Sequence, residues 1–165
     1  MDKKQIVVAV SGGFDPIHPG HIRMFKEAKA LGDKLVVILN NDNWLLKKKK
    51  FNFMSQKERK EVIEAIKYVD EVLISKHKFD TDDMSVSEEL RTIKPDIFAN
   101  GGDRNPADAR KKNSSLSRDL AVCLRYGIKM VYNVGAGGKI QSSSMLVDKA
   151  MRTAPRKVDV KIRKK

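Results

Sequence analysis

A single cysteine, Cys123, leaves this chain without an intramolecular disulfide, and a reducing, cytoplasmic compartment is the expectation. Long apolar runs are absent as well. The longest, "IVVAV" and "KLVVIL", fall far short of the roughly 18 to 20 residues a membrane span requires, so no membrane partner is expected. Charged "MDKK" leads directly into the first apolar run, with no small-residue cleavage site after it, and no cleavable leader is expected. Aromatics make up only 6% of residues and nowhere alternate with basic ones. A base-stacking surface is therefore not expected, nor nucleic acid as a partner. Acids are scarce too: 21 Asp and Glu face 34 Lys and Arg, a formal charge of +13. Residues 152–165 carry +6 of this, which leaves +7 for the remainder, including "KKKK" at Lys47 to Lys50. Such an excess suits anionic small molecules or a polyanion.

What is present is an alternation of short β-branched runs with helical patterns. The 165 residues suffice for one domain. "IVVAV", "DKLVVILN", "DEVLIS", "PDIFAN" and "IKMVYNV" read as five strands. Helices are predicted over "HIRMFKEAKALG", from Ser55 onward, and over "SVSEELRTIK", "SSLSRDLAVCLRYG" and "SSSMLVDKAM". In the first, Ile22, Phe25, Ala28 and Leu31 share a face. In the second, Ser55 and Glu58 form a capping box, and Val62, Ile63 and Ile66 make the apolar face. "NDNWLLKKKKFNFM" reads as a loop. Cys123 falls in phase with Leu120 and Leu124 as core, Trp44 packs on the next helix, and His77 sits in a surface loop. The pattern predicts βαβ units in an α/β, Rossmann-like, doubly wound sheet of about five parallel strands. One domain spans 1–151, followed by a basic, mobile tail over 152–165.

The stretch "SGGFDPIHPGHIRMF" joins the first strand to its helix, where α/β sheets present ligands. Glycines there permit close backbone approach, and a helix N-terminus attracts phosphate oxygens. His18 and His21 can donate to oxygens that gain charge in a transition state, or can simply cap the helix. One His-x-x-His without a third ligand is weak support for a metal, and no protein metal ligand is assigned. Four stretches fall at carboxyl ends of strands: the histidine loop, the lysine loop, "NGGDR" and "GAGGKIQSSS". One crevice could collect them all.

"GGFDPIHPGH" and "KIQSSSML" resemble the two signatures of the HxGH nucleotidyltransferase superfamily, and the likeness covers residues 5–150. The histidines also resemble those of class I aminoacyl-tRNA synthetases, for which this chain is too short. The resemblance implies attack by a substrate phosphate on the α-phosphorus of CTP or ATP, with loss of pyrophosphate. It implies that His18, His21, Lys48 and Ser143 do the catalytic work. Gly12, Gly13, Phe14, Asp15, Gly20, Lys50, Arg59, Gly102, Asp103, Lys139, Ser142 and Ser144 would bind the nucleotide. Mg²⁺ would be the cofactor, held mainly by triphosphate oxygens, and a homodimer is expected.

Within the superfamily, the lysine run, Arg59 and "IKYVDEV" resemble glycerol-3-phosphate cytidylyltransferases. "IKPDIFANGGDR" is similar to the heptose-1-phosphate adenylyltransferase domain, and "GGFDPIH" also to nicotinate mononucleotide adenylyltransferases. Asn100 and Gly137 replace residues commonly basic in these relatives, with Lys139 as a substitute charge. The expectation is transfer of CMP, or of AMP, to a sugar or polyol phosphate. The alternatives are the heptose-1-phosphate type and a silent nucleotide- or RNA-binding protein.

Overall fold

A computed structural model describes residues 4–102, 104–135 and 142–153. Five strands form one all-parallel sheet: β1 (Val7–Gly12), β2 (Lys34–Leu39), β3 (Glu71–Ile74), β4 (Ile97–Gly101) and β5 (Lys129–Val134). Their order is β3-β2-β1-β4-β5. The chain winds outward from β1 through β2 to β3, then crosses back to place β4 on the other side of β1. The carboxyl ends of β1 and β4 are thus the switch point, where the flanking loops part and leave a crevice.

The helices are α1 (Pro19–Lys29), α2 (Asp42–Lys49), α3 (Gln56–Glu64), α4 (Ser87–Ile93), α5 (Pro106–Arg110), α6 (Ser115–Tyr126) and α7 (Ser143–Thr153). Alternation along the strands divides the core into two layers. Val8, Val10, Leu35 and Val37 pack with Phe25 and Ala28 of α1 and Ile63 of α3. Ala9, Ile38 and Phe98 turn the other way, onto Leu90 of α4 and Val122 and Cys123 of α6. Cys123 is core as expected, but beside Val122 and not Leu124, which is 75% exposed; burial pushes its thiol up to about 12.

Several local readings change. The segment after β2 is not simply a loop. Asn41 caps it by accepting from the Trp44 N–H (3.0 Å), and residues 42–49 close into α2. Lysine and leucine are good helix formers, so the charge run extends the helix rather than breaking it. Asn105 and Asp108 box the start of α5, which the sequence reading missed. Val62 is 40% exposed while Ile63 is fully buried, so only part of the expected α3 face meets the core. His77 is buried rather than at the surface. Its Nε2 lies 2.8 Å from the Ser85 carbonyl and its Nδ1 2.7 Å from Ser75 Oγ.

Phe98 sits at the centre of the second layer, flanked by both helices and the sheet. Phe98→Ala should lower unfolding free energy by about 3 to 5 kcal/mol in urea titration. A loss under 1 kcal/mol would mean that this layer is loosely packed.

Candidate active site

The histidine loop is held by its own backbone. His18 is the N-cap of α1: its Nδ1 accepts from the Gly20 N–H (3.1 Å), while His21 Nδ1 accepts from the His18 N–H (3.3 Å). The two rings stack with centroids 3.7 Å apart. With each Nδ1 taken by a backbone donor, the neutral tautomer carries its proton on Nε2. Burial lowers the His18 pKa, aided by the charge of Lys49. Burial, then His18, then Lys49 lower that of His21 to about 3. Both rings are therefore neutral Nε2–H donors near pH 7. Phe14, nearly buried, sets its ring edge-to-face against His21 (5.0 Å) and Phe25 (5.1 Å). A Cβ on Gly12 would meet the Phe14 ring at 2.7 Å, so glycine is required there.

These residues line a cavity of about 310 Å³ at the switch point. Gly12, Gly13, Phe14, His18, Gly20 and His21 line it, together with Asn100 and Gly101 at the end of β4 and Gly102 and Arg104 just past it. Ser142, Ser143 and Ser144 bring the start of α7 to the same space. Ser142 Oγ accepts from the Met145 N–H (3.2 Å), and Ser143 Oγ donates to the Pro16 carbonyl (2.8 Å). The four stretches expected to converge do so through these described residues. Asp103 and Lys139, both candidates from the sequence, lie outside them, as do residues 154–165 of the tail.

The lysine expectation needs correcting. Lys48 and Lys50 do not line the cavity; Lys49 does. Helical phase is the reason, because α2 turns Lys48 over the Trp44 ring (5.0 Å) and leaves Lys50 as a left-handed cap (φ 69°). Lys49 Nζ donates to the Asp15 carbonyl (2.9 Å), and burial lowers its pKa against the raising pull of Asp15. Trp44 is buried, but within α2 itself, and its indole N–H donates to the Met84 carbonyl (3.1 Å) ahead of α4 rather than to the next helix; it also reaches the cavity wall.

Asp15 and Arg59, expected at the nucleotide, are instead buried struts off the cavity lining. Asp15 accepts from the Phe53 and Met54 N–H groups (2.6 and 2.8 Å). The fully buried Arg59 donates to the carbonyls of Gly13 (2.7 Å), Asn40 (2.8 Å) and Met54 (3.2 Å) and pairs with Asp42 (2.7 Å). Through Arg59, α3 is thus tied to the glycine loop at Gly13, to the end of β2 at Asn40 and to the start of α2 at Asp42. Sequence reasoning missed Lys49, Arg23, Met24, Asn100 and Arg104 as wall residues. A helical reading of 42–49 would have singled out Lys49, and the α1 phase of Gly20 would have found Arg23 and Met24.

Comparison with known proteins accords with this geometry. The cytidylyltransferase-like family model matches residues 9–158. The chain belongs to this family, and is a nucleotidyltransferase. A relative described as FAD synthase, from Ferroglobus placidus, is 40% identical over 98 residues, which is 59% of this chain and 60% of that one. An FAD synthase of Pyrococcus horikoshii is 36% identical over 122 residues, 72% of this chain and 79% of that one. Among solved structures, a lipopolysaccharide core biosynthesis protein from Thermoplasma volcanium superposes with TM-score 0.63 at 29% identity, covering 80% of this chain and 98% of that one. A pantoate-beta-alanine ligase from Francisella tularensis (TM-score 0.51, 14% identity, 80% of this chain and 60% of that one) shares the fold alone.

Two predictions follow from this cytidylyltransferase-like site. Arg59→Met strands three carbonyls and the Asp42 carboxylate, and should cost about 3 to 5 kcal/mol in urea unfolding, whereas a loss under 1 kcal/mol would contradict the strut role. His21 binds its proton near pH 3 when folded but near 6.5 when unfolded, so the unfolded state holds the extra proton between those values. Stability should therefore fall with acidification across this window, by up to ~1.4 kcal/mol per pH unit from His21. His21→Asn should flatten the acid limb by about one proton, and an unchanged slope would mean the ring is charged in the folded protein.

Proposed function

We propose that this nucleotidyltransferase moves AMP from ATP to the phosphate of flavin mononucleotide, forming FAD and pyrophosphate. The observation that carries the reading is a cavity of neutral imidazole donors, cationic side chains and a helix N-terminus, in a chain whose relatives include FAD synthases. An oxygen of the flavin phosphate attacks the α-phosphorus of ATP. A new O–P bond forms as the bond to the β-phosphate breaks, and its electron pair leaves on pyrophosphate. A phosphomonoester is mostly dianionic near pH 7, so this nucleophile needs no general base.

His18 and His21 donate Nε2–H bonds to phosphate oxygens as charge builds, without the reorganisation that water would need. Lys49 takes the part expected of Lys48. Ser142, Ser143 and Ser144, at the α7 N-terminus, receive the β- and γ-phosphates. Gly12, Gly13, Phe14, Gly20 and Gly102 shape the nucleotide pocket. Among the described wall residues there is no carboxylate, and no group of three potential metal ligands occurs. Magnesium would arrive as part of the substrate MgATP, held mainly by the triphosphate oxygens.

The flavin reading departs from the sequence-based preference for CTP and a small sugar or polyol phosphate. The likeness to the Thermoplasma volcanium lipopolysaccharide protein favours a second reading, with a sugar phosphate as acceptor. Pyrophosphate release should be assayed with MgATP and MgCTP, each against flavin mononucleotide, glycerol 3-phosphate and heptose 1-phosphate. The expected result is turnover with ATP and the flavin, FAD as product, and at least about a 10²-fold fall in kcat for His18→Ala or His21→Ala. Turnover only with heptose 1-phosphate would select the second reading, and turnover only with CTP would overturn the adenylyl assignment.

A further inference from the structure

The cavity has more positive charge than its triphosphate cradle uses. Its described wall contains Arg23, Lys49 and Arg104 and no acid, while both histidines are neutral. The histidines, Lys49 and the serine triplet already suffice for the triphosphate. Arg23 and Arg104 remain.

Their placement is built rather than incidental. Gly20, Arg23 and Met24 lie at i, i+3 and i+4 on α1, and all three line the cavity. Met24 is seated against β4, its Sδ occupying the space a Gly101 Cβ would fill. That close approach seats α1 against the end of β4, three residues before Arg104. No hydrogen bond or ion pair engages either guanidinium among the described residues. Glu27, one turn beyond Arg23 on α1, is held by the Gly135 N–H instead (2.6 Å). Asp108, whose carboxyl feels the charge of Arg104, is bonded to Lys111 (2.8 Å) and to the Asn105 N–H (3.2 Å). Asp119 also feels the charge of Arg104, but its carboxyl accepts from the Val86 N–H (2.9 Å) and Ser87 Oγ (3.1 Å). Two planar guanidiniums from separate elements, with no hydrogen bond to a described carboxylate, on the wall of a phosphate-transfer cavity are suited to a phosphate dianion.

We infer that Arg23 and Arg104 together bind the phosphate monoester of the acceptor, and so aim its attacking oxygen at the α-phosphorus. This inference rests on the transferase reading of the cavity, but not on the acceptor being a flavin. The pair reads the phosphate and would hold any acceptor that carries one.

The test uses the full chain preloaded with a non-hydrolysable ATP analogue and Mg²⁺. Wild type, Arg23→Gln, Arg104→Gln and the control Arg125→Gln, on the outer face of α6, are titrated by calorimetry. The probes are flavin mononucleotide, riboflavin, which lacks the phosphate, and phenyl phosphate. Loss of a charge-assisted bond predicts a roughly 10- to 100-fold weaker affinity of each cavity variant for both phosphates. Affinity for the ATP analogue should change less than about threefold, and the control should match wild type. If phenyl phosphate follows this pattern but the flavin neither binds nor turns over, the arginine site stands and the flavin reading falls. If wild type binds no phosphomonoester, if the variants bind as wild type does, or if they lose the ATP analogue instead, the assignment of Arg23 and Arg104 is wrong.

Discussion

The site depends on a short hydrogen-bonded relay at the start of α1. Two backbone N–H groups, those of His18 and Gly20, occupy the Nδ1 atoms of His21 and His18. The same contacts close the helix N-terminus, fix the stacked ring pair and leave Nε2–H as the free edge of each imidazole. Cap and chemistry are therefore not alternatives for these histidines. The bland reading, that they cap a helix, and the functional one, that they donate to phosphate, describe opposite sides of the same rings. Burial beside Lys49 keeps both rings uncharged, so they act as aimed dipoles while Lys49 and the arginines supply the cationic field.

Such aim needs a rigid frame, and two buried ions provide it. Asp15 holds residues 53 and 54 by their backbone amides, and Arg59 holds Gly13, Asn40 and Asp42 from the other direction. The glycine loop, the end of β2 and the start of α2 are thereby locked to one another. Lys49 inherits its position from that lock. Neither ion lines the cavity, yet each governs the placement of a group that does.

Much of this was legible in the sequence because the informative features were local. The β-branched runs, the Ser55–Glu58 box and the alternation of strand with helix identify five parallel strands, and the strand-end motifs identify one crevice. What escaped depended on helical phase or on partners distant in sequence. Four consecutive lysines look equivalent until α2 forms; then only Lys49 lies on the cavity side, while Lys48 covers Trp44. Arg59 reads as a surface or ligand-binding residue because its partners at Gly13 and Asn40 are 46 and 19 positions away. His77 looks like a loop residue until Ser75 and Ser85 close around it. Arg23 shares the α1 phase of Gly20, but that its face meets the crevice is fixed only by Met24 docking on Gly101.

The central claim is that His18 and His21 are neutral Nε2–H donors facing a cationic wall. Nitrogen-15 chemical shifts of the two side chains in the ligand-free protein, followed from pH 5 to pH 8, test it most directly. The account predicts an unprotonated Nδ1 and a protonated Nε2 for His21 across the whole range. His18 should show the same tautomer and titrate below the ordinary histidine value. An imidazolium signal from His21 near pH 6.5, or an Nδ1–H tautomer for either ring, would contradict it.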